Sequence, residues 1–448
     1  MMPFKEISTR DLFEIIEHSG KPEVPIAHTI LDIRPVAAYN GWPLKGEPRG
    51  GHISGAKSLP LSWTTYMDWV EVLEEKKITP GRPLIVYGYS RKEGIEMAEK
   101  LNDLGFSDVS IYSRFVEEWA SDSTRPLEQL PRYRNLVYPE WVNQLIQGEQ
   151  PPHFENGNNY VICHSHYDHI EDYHKEHIPG AIPVDTNSLE STDTWNRRSP
   201  GELEAALCKL GIRHDTTVVI YGRFSAPVYD QDPFPGKSAG HLGALRCAAI
   251  MLYAGVKDIR ILNGGLTCWE TEGYELSREP FEPKPVEEFG VEIPARPDIM
   301  IDVPEAKQML AAKNSELVSI RSWEEFIGNR SGYHYIEKRG RIPGALFGNC
   351  GSDAYHMENY RNFDHTMREY QEVASTWREG GITPDKRLAF YCGTGWRGSE
   401  AFWNAWLMGW PSISIYDGGW FEWCSDPDNP IETGMPESAA SFAKSVGL

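Results

Sequence analysis

The chain has 448 residues, 40% of them apolar, and its 44 Lys plus Arg against 65 Asp plus Glu leave a net charge of −21 at pH 7. That length and apolar content suffice for two to four domains, each with its own core. So negative a surface repels nucleic acid and anionic lipid, and the sequence has no run of about 18 uncharged apolar residues to span a membrane.

The opening residues, MMPFKEISTRDLFEII, lack the apolar stretch of a secretory leader. From there one paragraph of sequence is written three times. The first copy reads TILDIRPVAAYNG, GHISGA, PLIVYG and GFSDVSIYSRFVEEW. The second reads YVICHSHYDHI, EHIPGA, TVVIYG and GVKDIRILNGGLTCWE. The third reads LVSIRSWEEFIG, GRIPGA, RLAFYC and GWPSISIYDGGWFEW. A unit this long is a duplicated domain, since solenoid repeats run about 20–50 residues. PLIVYG and TVVIYG have no polar alternation and read as buried parallel strands. LRCAAIMLYAGV and SEAFWNAWLMG read as helices closed by glycine. Alternating strand and helix predicts an α/β fold of three tandem domains, each a parallel sheet flanked by helices. Polar, Pro-rich stretches at 121–135 and 279–297 separate domains at 1–128, 136–280 and 294–448.

Seven cysteines, an odd number without framework spacing, read as reduced thiols of a cytoplasmic protein. Cys208, Cys247, Cys268 and Cys350 read as small buried hydrophobes. One position differs. In each copy the strand ends in a tyrosine followed by Gly88, Gly222 or Cys392, so only the third repeat places a thiol where a parallel strand ends. Open α/β sheets bind their ligands there. Gly393 and Gly395 permit a tight loop with inward N–H groups, the next helix offers its N-terminus, and Arg397 adds a cation. Together they favour a thiolate or a persulfide at Cys392.

These elements, DIR, GHISGA, HIPGA, RIPGA, DGGW and the loop CGTGWR, resemble the rhodanese family over nearly the whole chain. Copies two and three are similar to the two-domain thiosulfate and 3-mercaptopyruvate sulfurtransferases, and copy one is an extra domain in front. The resemblance implies that Cys392 takes a sulfane sulfur from a small donor and passes it to a thiol, cyanide or protein acceptor, with no cofactor or metal. It carries sulfur-holding N–H groups to Gly393, Thr394, Gly395, Trp396 and Arg397. It makes Arg321 a substrate anchor, with Arg341 ranked below it, and pairs the Thr394 hydroxyl with His177 for proton transfer. The alternatives are an ion pair for Arg321 and a turn-stabilising role for His177. The residues between Cys392 and Arg397 are uncharged, which favours 3-mercaptopyruvate over the thiosulfate dianion. Where the family often has a further arginine, Glu324 and Glu325 stand.

Three other readings stay open. Thiosulfate sulfurtransferase is the first. The second is a persulfide carrier for cofactor or tRNA sulfuration, with the first two domains as docking modules. A phosphatase of the same fold would need five residues between Cys and Arg, and this loop has four. His164, His166, Asp168 and His169 spell a metallohydrolase signature, HxHxDH. They occupy the register of LDIRPVAAYNG, however, and lead straight into HIPGA, so the pattern reads as fortuitous.

Overall fold

The computed structural model describes residues 4–19, 28–224 and 240–436, so the outer ends of the first and third expected domains lie outside the described residues. Three five-stranded sheets follow one plan. Numbered in chain order within a repeat, the strands lie first, fifth, fourth, second, third, and all are parallel. The first sheet is Lys5–Glu6, Val109–Tyr112, Leu84–Tyr87, Thr29–Asp32 and Lys57–Ser58. The second is Leu136–Val137, Asp258–Leu262, Thr217–Gly222, Tyr160–His166 and Ala181–Asp185. The third is Met300–Ile301, Ile413–Tyr416, Arg387–Tyr391, Ser315–Ser319 and Leu346–Phe347. Chain direction across the sheet reverses between the fourth and second strands, so the loop leaving the fourth strand stands at a switch point.

The fourth strands, Leu84–Tyr87, Thr217–Gly222 and Arg387–Tyr391, are buried almost throughout, as their unbroken apolar runs require in a sheet covered on both faces. The chain divides into two compact units, Met1–Tyr133 and Arg134–Leu448, the second holding the second and third sheets. The helix Gly240–Ala254 is buried on every side, which its apolar composition all round allows. It packs on the helix Trp396–Leu407, and the Trp403 indole donates to the Leu245 carbonyl at 3.0 Å. Two equivalent helices, one from each repeat, thus lie side by side, each against the fourth strand of its own repeat. No helix among the described residues is long and apolar enough to cross a membrane.

Candidate active site

Cys392 follows the strand Arg387–Tyr391 and is fully buried. The carbonyls of Cys392 and Gly393 accept the N–H groups of Trp420 (2.8 Å) and Phe421 (2.9 Å), in the first turn of the helix Gly419–Ser425. Gly419 has φ +54°, and a Cβ there would lie 2.7 Å from the Cys392 oxygen, so only glycine admits this approach. Gly395, at φ +92°, caps the helix Trp396–Leu407. The carbonyls of Cys392 and Gly393 are thus tied back, and the chain from Gly393 runs straight into a helix N-terminus, an arrangement that can stabilise negative charge. Trp396 and Arg397 belong to the helix's first turn, three residues earlier than SEAFWNAWLMG implied.

Arg397 is not a free cation. Its Nη1 and Nη2 each lie 2.9 Å from an oxygen of buried Glu325, and Nη2 also donates to Tyr333 Oη at 2.8 Å. Nη1 further contacts the Cys350 sulfur at 3.1 Å. Arg321 donates to the same carboxylate at 3.1 Å and to the carbonyls of Gly340 (2.7 Å) and Ser331 (3.1 Å). Burial alone would raise the Glu325 carboxyl, but the two guanidinium groups pull it down to about 2.

Aromatic rings close the rest. A Cβ on Gly393 would meet the Tyr333 ring at 2.2 Å. Tyr335 is hydrogen-bonded to Thr394. Burial pushes both phenols far up, and the Cys392 sulfur adds to the shift in each, so both stay protonated beside it. Tyr333 accepts from Arg397 and must therefore turn its own proton elsewhere. Trp195, from the second repeat, stacks on Tyr335 at 4.6 Å and meets the Phe421 edge at 5.3 Å. On its other side Tyr333 lines an open pocket of about 380 Å³ with Arg330, His334, Ser352, Asp353 and Tyr355. Arg330 is exposed and makes no ion pair among the described residues.

The structure therefore gathers Cys392, Gly393, Thr394, Gly395, Trp396 and Arg397 in one loop and sets the other expected residues apart. Arg321 reaches the loop through Glu325, and each of its three guanidinium nitrogens already donates to a protein acceptor, so it stands as a buried brace rather than an open substrate anchor. Arg341 pairs with Glu432 at 3.2 Å, donates to the Gly434 carbonyl and lies over Phe326. His177 stacks on Tyr173 at 3.9 Å, with its two ring nitrogens on the carbonyls of Tyr173 and Glu279. His52 stacks on Tyr39 at 3.7 Å in the first repeat, so this position ties down the short helix before it in domains without a nucleophile too. Neither His177 nitrogen is left to serve Thr394. His164 is buried between Tyr173 and Tyr221, and no three His, Cys, Asp or Glu side chains among the described residues gather to hold a metal. Glu325, Tyr333, Tyr335 and Arg330 escaped the sequence reading. For Glu325 a signal existed, because Ser322 and Glu325 form a capping box that fixes the carboxylate's place.

The family model for the rhodanese-like domain matches residues 14–122, 165–272 and 302–426. The chain belongs to the rhodanese family. Thiosulfate sulfurtransferase YnjE of Escherichia coli is 41% identical over 408 residues, 90% of this chain and 88% of the relative. Sulfur carrier protein TtuD of Thermus thermophilus is 28% identical over 67% of this chain and 96% of its own. The solved structure of EanB is 50% identical, with a TM-score of 0.93 over 97% of this chain and 99% of that one. EanB variants have been solved with hercynine, with ergothioneine, and with ergothioneine covalently linked with a cysteine persulfide. Within this family, with these relatives, the chain is a sulfurtransferase.

Proposed function

We propose that this chain carries a sulfane sulfur on Cys392 and transfers it to the imidazole carbon of a trimethylated histidine betaine, hercynine, forming the thioimidazole ergothioneine. The observation that carries the reading is the setting of the thiol. The arginines beside it are paired, its walls are phenols and indoles, and Arg330, without an ion pair among the described residues, lines the neighbouring pocket across Tyr333. Such a site suits a substrate with one carboxylate, a quaternary ammonium that aromatic faces attract, and a neutral ring. The likeness to EanB supports it.

In this reaction the donor first leaves its sulfane sulfur on the Cys392 thiolate. The imidazole carbon then gives up its proton to a base and attacks the outer sulfur. A C–S bond forms, the S–S bond breaks, and its electron pair returns to Cys392. The two electrons that the sulfane sulfur gains are those that the carbon loses, so no outside oxidant is needed. Loop amides at 393–397 meet the charge on sulfur, while Tyr333 and the Thr394–Tyr335 pair supply hydroxyl protons. A 3-mercaptopyruvate or thiosulfate donor would be met at the sulfur by these amides rather than by Arg321 or Arg397. Seven free thiols suit a reducing, cytoplasmic setting.

The test is product analysis. After incubation with polysulfide, thiosulfate or 3-mercaptopyruvate, intact mass should show one added sulfur, about 32 Da, on Cys392. Hercynine should then yield ergothioneine with a kcat/KM at least about tenfold above that for cyanide. Thiocyanate without ergothioneine would replace the reading with thiosulfate sulfurtransferase, which the likeness to YnjE favours. A sulfur that loads once and leaves only to a protein would make the chain a carrier.

A further inference from the structure

The second repeat has no nucleophile, yet it reaches the third repeat's loop through a buried polar chain. Glu190, fully buried, accepts the Trp396 indole N–H, its two oxygens lying 2.9 and 3.2 Å away. It also accepts Nε of Arg246 at 3.0 Å. Arg246, from the helix Gly240–Ala254, continues to Asp417 at 2.5 Å and to the Trp195 carbonyl at 2.8 Å. Its Nη1 is buried without a hydrogen-bond partner among the described residues, and a Cβ on Gly395 would sit 2.9 Å from it and 3.0 Å from the Asp417 carbonyl. Asp417 in turn accepts the main-chain N–H of Arg197 at 2.9 Å and its Nη1 at 2.7 Å.

Such a network is a poor source of stability. Desolvating the charges offsets most of their attraction, and an unpaired buried N–H adds a further cost. What it supplies is position. It bonds to Trp396 and crowds Gly395, the first residue and the cap of the helix that begins four residues after Cys392. A shift of about 1 Å in such donors can cost a hundredfold in rate. We infer that Glu190 is a positioning residue for the Cys392 loop, holding the Gly395–Trp396 segment through the indole N–H, so that the second repeat is part of the sulfur-transfer machinery.

This rests on Cys392 carrying the sulfur but not on hercynine, so the test uses cyanide as acceptor. The full chain is loaded with polysulfide, its persulfide confirmed by mass, and discharge followed in a single turnover. Trp396→Phe keeps the ring and the ion network and removes only the N–H, so it carries the test even if Glu190→Ala fails to fold. Each variant should still load to one sulfur per chain by mass, and discharge about tenfold more slowly. The double variant should be no slower than either, and Glu190→Gln, which keeps an acceptor oxygen, should regain most of the rate. Wild-type discharge in Trp396→Phe would overturn the inference. So would losses that multiply in the double variant, or Glu190→Gln as slow as Glu190→Ala, since either assigns the effect to packing. A wild-type chain that never takes up sulfur would overturn the inference and the proposed function together.

Discussion

Two guanidinium groups converge on Glu325, and removing its charge leaves both buried and under-compensated. Glu325→Gln should cost about 3–5 kcal/mol in urea unfolding, the usual scale for breaking a buried ion pair from one side. The acid dependence follows from the sign of the shift. The folded carboxyl lies at about 2 against 4.5, so its contribution is fully present above 4.5 and is lost as pH falls toward 2. The variant should lack that part of the wild type's acid sensitivity, and an unchanged acid profile would contradict the pairing. Cys392→Ser should abolish sulfur uptake and leave the melting temperature unchanged. The other thiols should not substitute for it: burial raises all six, pushing Cys350 and Cys268 up to about 12 and Cys163 and Cys247 further still. A persulfide on the variant after donor treatment would sink the assignment of Cys392 as sole carrier. Cys392 was legible because one residue breaks a threefold pattern. Glu325 as partner of the loop arginine was not, because 72 positions separate them and no local periodicity records the pairing.

The element that differs among the repeats is the turn after the fourth strand. A Cβ on Gly88 would meet the Ile33 side chain at 2.8 Å, and one on Gly222 the Gly240 carbonyl at 2.1 Å. Cysteine at either position is therefore obstructed, and neither Gly88→Cys nor Gly222→Cys should add a second sulfur by intact mass. In the third repeat the close neighbour belongs to the site. Gly393→Ala should force the Tyr333 ring aside and slow sulfur transfer at least about tenfold with the fold retained, and full activity would remove Tyr333 from the loop's working surface. Strands and helices could be read from the sequence because their apolar spacing is local. The helix start at Trp396 could not, since its cap is a left-handed glycine rather than the Ser, Thr, Asp or Asn that marks most N-termini.

Across the molecule, self-similarity revealed three domains and their common fold, but not which of them share a site. That depends on pairs such as Glu190 with Trp396 and Arg246 with Asp417, 206 and 171 positions apart. Because these charges are buried between them, the second and third repeats should unfold in one transition. Arg246→Met, which strands Glu190 and leaves Asp417 with Arg197 alone, should lower that transition by about 3–5 kcal/mol in urea. Two separate transitions for these repeats, or a neutral Arg246→Met, would contradict the coupling.

The Glu190–Arg246–Asp417 chain also bears on how such a protein can be inherited. A gene broken within 279–297 would divide this charge network, leaving Glu190 and Arg246 paired in one product and Asp417 without either of its arginines in the other. The third repeat is therefore a poor candidate for transfer by itself between genomes, although it alone bears the reactive cysteine. Of three copies of one fold two carry no nucleophile, and one of these, the second, shares a buried charge network with the copy that does.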